Sequence, residues 1–501
     1  MRPLPDAVIR APDQRRRAVV DLGSNSVRLV VFEGDSRNPM PIFNEKAVLR
    51  LGRGLQSSGR LNDEGTAQAL TVMNRYAAIA RAMQAEPFEV LATAAVRDAV
   101  NGPQFIDLLR HRLPGVPITV LSGEEEAELS AAGLLCGIPD AHGLLADIGG
   151  GSLELVRLDQ GRRGTARTLR LGVIRLSERA EGDAARARAI AEADLAAETW
   201  LPEMAGRDLY AVGGAWRALA RIHITQTSYP LALLHHYTIS REEARDLAGM
   251  VASASRRQLE RLPGIPRRRA DDLPYAAVVL RRLLRATGVR RVVFSANGLR
   301  EGWYMRHLPP AQRDIDPLLA AGHDYARRFA RDIALPPALL AWTAPLFPAE
   351  TAESRRLREV ACWMSDIGSR DHPEYRAEQA FLRILRQPGI GLDHQARAFL
   401  ALTLALRYEA ESDAPFLKPA TALLAPDAIR RATILGVALR LAYTLSAGTA
   451  GLLAGTRLLP GQHLTLQLAE GSGVFAGESV TRRLDRLAEV MGLAATTTLA
   501  A

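Results

Sequence analysis

Lysine is almost missing from this chain of 501 residues. Only Lys46 and Lys418 occur among 64 basic side chains, so arginine carries nearly all of the positive charge behind the net +9. Cysteine is equally scarce: Cys136 and Cys362 lie far apart and form no CxxC pattern. That excludes a disulfide framework and a cysteine-built metal site, and it points to a reducing compartment. No run approaches the ~18 apolar residues of a membrane span. The opening MRPLPDAVIRAPDQRRR has no hydrophobic centre of the kind a secretory signal needs. The expectation is a cytoplasmic protein with no membrane partner, in which residues 1–16 form a basic tail.

A hydrophobic fraction of 48% is ordinary for a globular chain with real cores. The length allows about three or four domains at ~150 residues each. The planar guanidinium of arginine suits bidentate contact with phosphate, so an anionic polymer or a nucleotide is a fitting partner class. Charge alone does not choose between them.

The most informative stretch is Gly143–Leu155, GLLADIGGGSLEL. An apolar strand ends in Asp147, a turn follows from Gly149 to Ser152, and a second extended run begins at Leu153. Glycine has no Cβ to block close approach, so Gly150, Gly151 and Ser152 can present backbone N–H groups to phosphate oxygens. Asp147 and Glu154 flank the turn and can hold a hard divalent cation against those oxygens. The same layout occurs about 126 residues earlier in AVVDLGSNSVRLVVFE, where Asp21 precedes Gly23, Ser24, Asn25 and Ser26. An internal repeat on this scale implies two similar halves closing on one ligand from opposite sides.

Strands alternate with helices through both halves, which makes the class α/β. Phe88–Ala92 reads as a strand whose end delivers Arg97, either a phosphate clamp at a strand terminus or a surface arginine opening the next loop. Ser122 and Glu125 fit a capping box, which gives Glu125 a structural task. Glu124 and Glu126 are both left as candidate general bases. Glycine turns at Gly213-Gly214 and Asn297-Gly298 each open a helix, and the first, leading to Arg217, is a further candidate anion site. From Pro310 to Ala447 the pattern is almost wholly helical, and residues 448–501 read as a small α/β unit.

With these segments in hand, the chain resembles the exopolyphosphatase/guanosine pentaphosphate phosphohydrolase (Ppx/GppA) family of the actin-like, ribonuclease H-like ATPase superfamily. The resemblance rests on VVDLGSNSVRLVV, LATAAVRDAVNG, LSGEEEAELSAAGLL, ADIGGGSLELV, LRLGVIRLSE, AVGGAWRALA and SANGLREGWY, in family order through residues 18–305. It implies two actin-like domains over 17–140 and 141–309. A helical HD-like domain with a degenerate site over 310–447 and a small C-terminal α/β domain over 448–501 complete the expected order. It implies Glu126 as the catalytic base, Asp147 and Glu154 as Mg2+ ligands, and Ser24, Asn25, Ser26, Arg97, Gly150, Gly151 and Ser152 as phosphate-binding residues. The implied activity is hydrolysis of the terminal phosphoanhydride of inorganic polyphosphate, with guanosine pentaphosphate as the alternative substrate. A homodimer with no nucleic-acid partner is implied as well.

The chain departs from the family pattern at several places. Leu153 replaces the usual threonine before the metal glutamate, and Glu128 stands where arginine is frequent. In the helical region Met364-Ser365-Asp366 and Leu441-Ala442-Tyr443 replace the histidine–aspartate and aspartate positions of an active HD site, and His372 and His394 are scattered. No second metal-hydrolase site is expected there; dimerisation and channel-building are. An actin-like kinase would share both hairpins, but SGEEEA and SANGLREG favour the phosphatase branch. Retention of Glu126, Asp147 and Glu154 argues against a silent guanosine polyphosphate sensor.

Overall fold

In a computed structural model, residues 15–262, 269–387, 391–471 and 477–500 are described, and the chain divides into two compact units, 1–314 and 315–501. Most of the expected basic tail, residues 1–14, lies outside the described residues, and Arg16 already opens the first strand.

Among the described residues, the first unit contains β1 (Arg16–Leu22), β2 (Ser26–Glu33), β3 (Met40–Val48), β4 (Ala85–Ala92), β5 (Ile118–Val120), β6 (Gly143–Ile148), β7 (Leu153–Asp159), β8 (Arg162–Leu169), β9 (Asp208–Val212), β10 (Tyr237–Ser240) and β11 (Arg291–Phe294). They form two sheets, ordered β3-β2-β1-β4-β5 and β10-β11-β9-β6-β7-β8. In the first, β1 pairs antiparallel with β2 and parallel with β4. In the second, β6 pairs antiparallel with β7 and parallel with β9. One topology is therefore used twice, with β10 added at an edge. The repeat extends to single residues. Asp21 pairs with Arg28 across β1 and β2, and Asp147 pairs with Glu154 across β6 and β7.

The central strands are buried because their sequences are apolar almost without interruption. Ala18–Val20 and Leu144–Ala146 are fully enclosed, as two-sided coverage of a central strand requires. Each sheet organises its own hydrophobic core. Helix Gly123–Gly137 starts where the sequence marks it: Glu125 N–H donates to Ser122 Oγ at 3.1 Å and Ser122 N–H donates to Glu125 Oε2 at 2.8 Å. It packs against the helix Leu299–Arg306 so closely that a Cβ at Gly133 would lie 1.8 Å from the Gly298 carbonyl oxygen. Only glycine permits that approach, which fixes the helix that carries Glu126.

The second unit begins with helices, from Pro317–Phe329 to Pro426–Ser446. A three-stranded sheet follows, β12 (Thr456–Pro460), β13 (His463–Ala469) and β14 (Ala494–Ala500) in that spatial order, with helix Glu478–Met491 between the last two in sequence. The sequence pattern points to β13 and this helix. It does not expose β14, whose Ala-Ala-Thr-Thr-Thr-Leu-Ala has few large apolar residues. Where the degenerate HD-like site is expected, Asp366 is buried and accepts hydrogen bonds from Arg331 Nη2 at 2.9 Å and Nε at 3.2 Å. Arg407 lies 3.7 Å from the same carboxylate, stacked between the rings of Tyr443 and Tyr408 at 3.8 and 4.1 Å. Guanidinium groups thus supply the positive charge beside this buried carboxylate. No helix among the described residues is long and apolar enough to cross a membrane.

Candidate active site

The turns that end β1 and β6 are built alike and meet each other. Gly23 N–H donates to the Ser26 carbonyl at 3.1 Å, and Gly149 N–H donates to the Ser152 carbonyl at 3.0 Å. Each turn is held from behind by a segment after the third strand of its half, and both segments contain Leu-Arg-Leu-Gly, at 49–52 and 169–172. Leu49 and Arg50 N–H donate to the Asn25 carbonyl at 3.1 and 3.0 Å, and Gly52 N–H to that of Ser24 at 2.8 Å. Val173 and Ile174 N–H donate to the carbonyls of Gly149 and Gly150 at 3.1 and 2.9 Å. A Cβ at Gly151 would come within 2.9 Å of Ser24 Oγ and 3.1 Å of Ala94 Cβ, so glycine here lets the two halves touch.

Nine of the ten residues singled out from sequence line one cavity of about 180 Å³: Ser24, Asn25, Ser26, Glu126, Asp147, Gly150, Gly151, Ser152 and Glu154. Arg97 is not part of that lining. It stands behind Glu126, donating to Glu126 Oε2 at 3.1 Å and to the Leu121 carbonyl at 2.9 Å, with Asp98 at 3.3 Å. Of Glu124 and Glu126, only the second reaches this cavity. Glu124 is exposed, whereas the Glu126 side chain is 14% exposed and reaches the cavity.

The acids lining the cavity include Asp147 and Glu154, opposed across β6 and β7, together with Glu126 and Asp21. Burial raises all four carboxyls above their ordinary values. Glu126 is pushed up to about 7, because burial and the Asp147 and Asp21 charges outweigh the Arg97 pair. Glu154 is raised well above its usual range by burial and by Glu126 and Asp147. Its Oε1 is buried without a hydrogen-bond partner. Asp147 Oδ2 accepts a 2.5 Å bond from Ser130 Oγ, which partly offsets its burial.

The same cavity is lined by a basic group, Arg28, Lys46, Arg217, Arg269 and Arg300, of which the sequence marks only the turn leading to Arg217 as a candidate anion site. Burial and mutual repulsion pull Arg28 and Arg217 down to about 10. Arginines crowded in this way gain when an anion enters between them. Arg217 and Arg300 sit in the first turns of helices Gly214–Gln226 and Leu299–Arg306, so both were placed by the glycine turns the sequence marks. Two departures are not part of the cavity lining. Leu153 is fully buried in the hydrophobic core on the opposite side of β7 from Glu154, and exposed Glu128 lies 3.6 Å from Arg163.

A cleft between repeated α/β halves, with paired glycine turns and an acidic strand pair, is the setting in which the sequence comparisons fall. Residues 30–311 match the Ppx/GppA phosphatase family, and residues 318–497 match the exopolyphosphatase C-terminal family. The chain belongs to the Ppx/GppA phosphatase family. It is accordingly a phosphoanhydride hydrolase with an actin-like, ATPase-type α/β fold. Exopolyphosphatase 2 of Mycobacterium tuberculosis is 28% identical over 310 residues, covering 57% of this chain and 97% of that protein. Exopolyphosphatase 1 of Mycobacterium bovis is 30% identical over 305 residues, covering 58% and 88%. The crystal structure of an exopolyphosphatase from Cytophaga hutchinsonii superposes with a TM-score of 0.52 at 25% identity, covering 57% of this chain and 96% of that one.

The motif resemblance implies Mg2+, and the carboxylates lining the cavity have the oxygen donors such a cation takes. Among the described residues no three histidine, cysteine or carboxylate side chains form a complete ligand set. Mg2+ commonly takes only one or two carboxylates and completes its shell with water and substrate phosphate. Asp147 and the unpartnered Glu154 Oε1 would supply that minimal set beside the Gly149–Ser152 turn.

Proposed function

We propose that this protein is a Mg2+-dependent exopolyphosphatase, which removes the terminal phosphate of inorganic polyphosphate as orthophosphate and leaves a chain one unit shorter. The observation that carries this reading is Glu126. It is a carboxylate with its pKa pushed up to about 7, set in the wall of a cavity that also presents two glycine turns and four arginines.

The steps at the chain's own residues follow from their chemistry. Backbone N–H groups of Gly150, Gly151 and Ser152, with Ser24, Asn25 and Ser26 from the other half, bind the oxygens of the terminal phosphoryl group. Arg28, Arg217 and Arg300 hold the phosphates behind it. Glu126 takes a proton from the attacking water as its oxygen bonds to phosphorus and the bridging P–O bond breaks. Arg97 keeps the Glu126 carboxylate oriented and adds positive charge close to the transferred group. Donors fixed in a partly dry cavity stabilise the charge that spreads over the phosphoryl oxygens in the transition state. Asp147 and Glu154 would hold Mg2+, whose charge would add to that neutralisation.

Guanosine pentaphosphate offers the same type of terminal phosphoanhydride and is the alternative substrate. The test is phosphate release from long-chain polyphosphate, with Mg2+ and with the metal chelated, and with guanosine pentaphosphate as competitor. Metal-dependent release that the competitor inhibits weakly supports the reading. Transfer of phosphate from ATP to an acceptor, with no release from polyphosphate, would place the protein among kinases instead.

A further inference from the structure

At the far ends of the strands that form the cavity lies a second basic feature. Val212 at the end of β9 lines the cavity, and Asp208 at its start lies about 13 Å away along the strand. Beside that start, helices Arg241–Ser253 and Leu273–Thr287 border a groove of about 600 Å³. Its lining includes Arg241, Arg245, Arg281, Arg282, Arg285 and Arg290, against the single carboxylate Glu242.

The nearby acids do not neutralise this set. Arg282 and Arg285 share one carboxylate, Glu192, at 3.2 and 3.4 Å. Arg290 shares Asp208 with Arg291, each at 2.8 Å. Arg245 pairs with its exposed neighbour Asp246 at 3.1 Å. Arg241 is hydrogen-bonded through Nη2 to the Leu284 carbonyl at 3.3 Å, and Arg281 enters no ion pair among the described residues. Arg241, Arg245, Arg281 and Arg285 are exposed, so their guanidinium groups are accessible to a ligand.

We propose that this groove is a second binding site for the inorganic polyphosphate chain, separate from the catalytic cavity. The assignment rests on polyphosphate being the substrate. Excess guanidinium along a groove matches a polymer with charge on every unit. The lining contains no aromatic side chain on which a base could stack, which favours an inorganic chain over a single-stranded nucleic acid. A long chain held here keeps its free end near the cavity at raised effective concentration, whereas a chain of three phosphates is too short to use both sites.

The test combines Arg241→Ser, Arg245→Ser, Arg281→Ser and Arg285→Ser in one full-length protein, all remote from the cavity lining. Hydrolysis is measured on long-chain polyphosphate and on tripolyphosphate. Direct binding of labelled long-chain polyphosphate is measured in a Glu126→Gln background with and without the four substitutions, and circular dichroism checks the fold. Long-chain KM should rise about tenfold or more and binding should weaken similarly, with tripolyphosphate kinetics unchanged. Unchanged long-chain KM and binding overturn the proposal. So does tighter binding of duplex DNA than of polyphosphate, lost with the same four substitutions. Wild-type protein that releases phosphate from neither substrate would refute the assigned activity, while the binding measurement still decides the groove.

Discussion

Arg28 holds in the first hairpin the register position that Glu154 holds in the second. Both lie seven residues after the strand-end aspartate and both line the same cavity. One duplicated hairpin therefore delivers a basic side chain to the cavity, and the other delivers an acidic one. Under the proposed function, matching positions of one repeated structure would hold the phosphate chain and its metal.

If Arg28 holds the phosphates behind the scissile bond, Arg28→Gln should lower kcat/KM for polyphosphate by about 10- to 100-fold. That is the loss expected for a charge-assisted hydrogen bond of about 1.5–3 kcal/mol. The effect should fall mainly on KM, with the thermal midpoint nearly unchanged. Phosphate-release kinetics on purified variant protein measure both.

Metal uptake should release protons. Burial raises the carboxyls of Asp147 and Glu154, so in the metal-free protein the pair keeps its protons to higher pH than ordinary carboxyls do, whereas a bound cation requires them deprotonated. Mg2+ affinity should therefore rise with pH through the range above the ordinary carboxylate value. Calorimetric titration in two buffers of different ionisation enthalpy reads the proton count directly. Glu154→Gln should weaken Mg2+ binding and reduce that count.

Gly151→Ala should separate the two turns, since its Cβ would lie 2.9 Å from Ser24 Oγ and 3.1 Å from Ala94 Cβ. Crowding of this kind costs about 1–3 kcal/mol. A reduced denaturant midpoint and reduced turnover are expected. Gly149→Ala is the control, because the nearest atom to its Cβ would be 3.6 Å away. It should keep the stability of the parent protein.

Much of this site was legible because turn chemistry and capping are local. Asp147, the three glycines and Ser152 fix the shape of their turn, and Ser122 with Glu125 fixes where the helix bearing Glu126 begins. What stayed hidden depends on long-range placement. Arg28 alternates with apolar neighbours as any half-buried strand residue does, and its meaning comes from the pairing with Asp21. Arg217 and Arg300 lie in recognisable motifs, yet sequence alone does not say that two separate helix starts converge. A further signal was present: the paired Leu-Arg-Leu-Gly segments extend the repeat to the loops that brace both turns. Arg97 illustrates the reverse case, since a residue expected to face the ligand instead pairs with Glu126.

In the second unit, Asp366→Ala should be strongly destabilising. It removes the carboxylate beside Arg407, a guanidinium that is 2% exposed, and beside Arg331. Breaking a buried pair in this way costs about 3–5 kcal/mol. Urea unfolding followed by circular dichroism measures it, and Arg407→Met in the Asp366→Ala background should recover part of the loss.

The central claim concerns Glu126 as the base, and the direct measurement is turnover of long-chain polyphosphate by Glu126→Gln with the fold verified. Base assistance is commonly worth about 10²–10⁴ in rate, so turnover should fall by at least about 100-fold while polyphosphate still binds. In the wild type, the acid limb of kcat/KM should lie above the ordinary glutamate range, because activity is lost as the raised Glu126 carboxyl gains its proton. A folded Glu126→Gln protein that releases phosphate at a near wild-type rate would contradict the account.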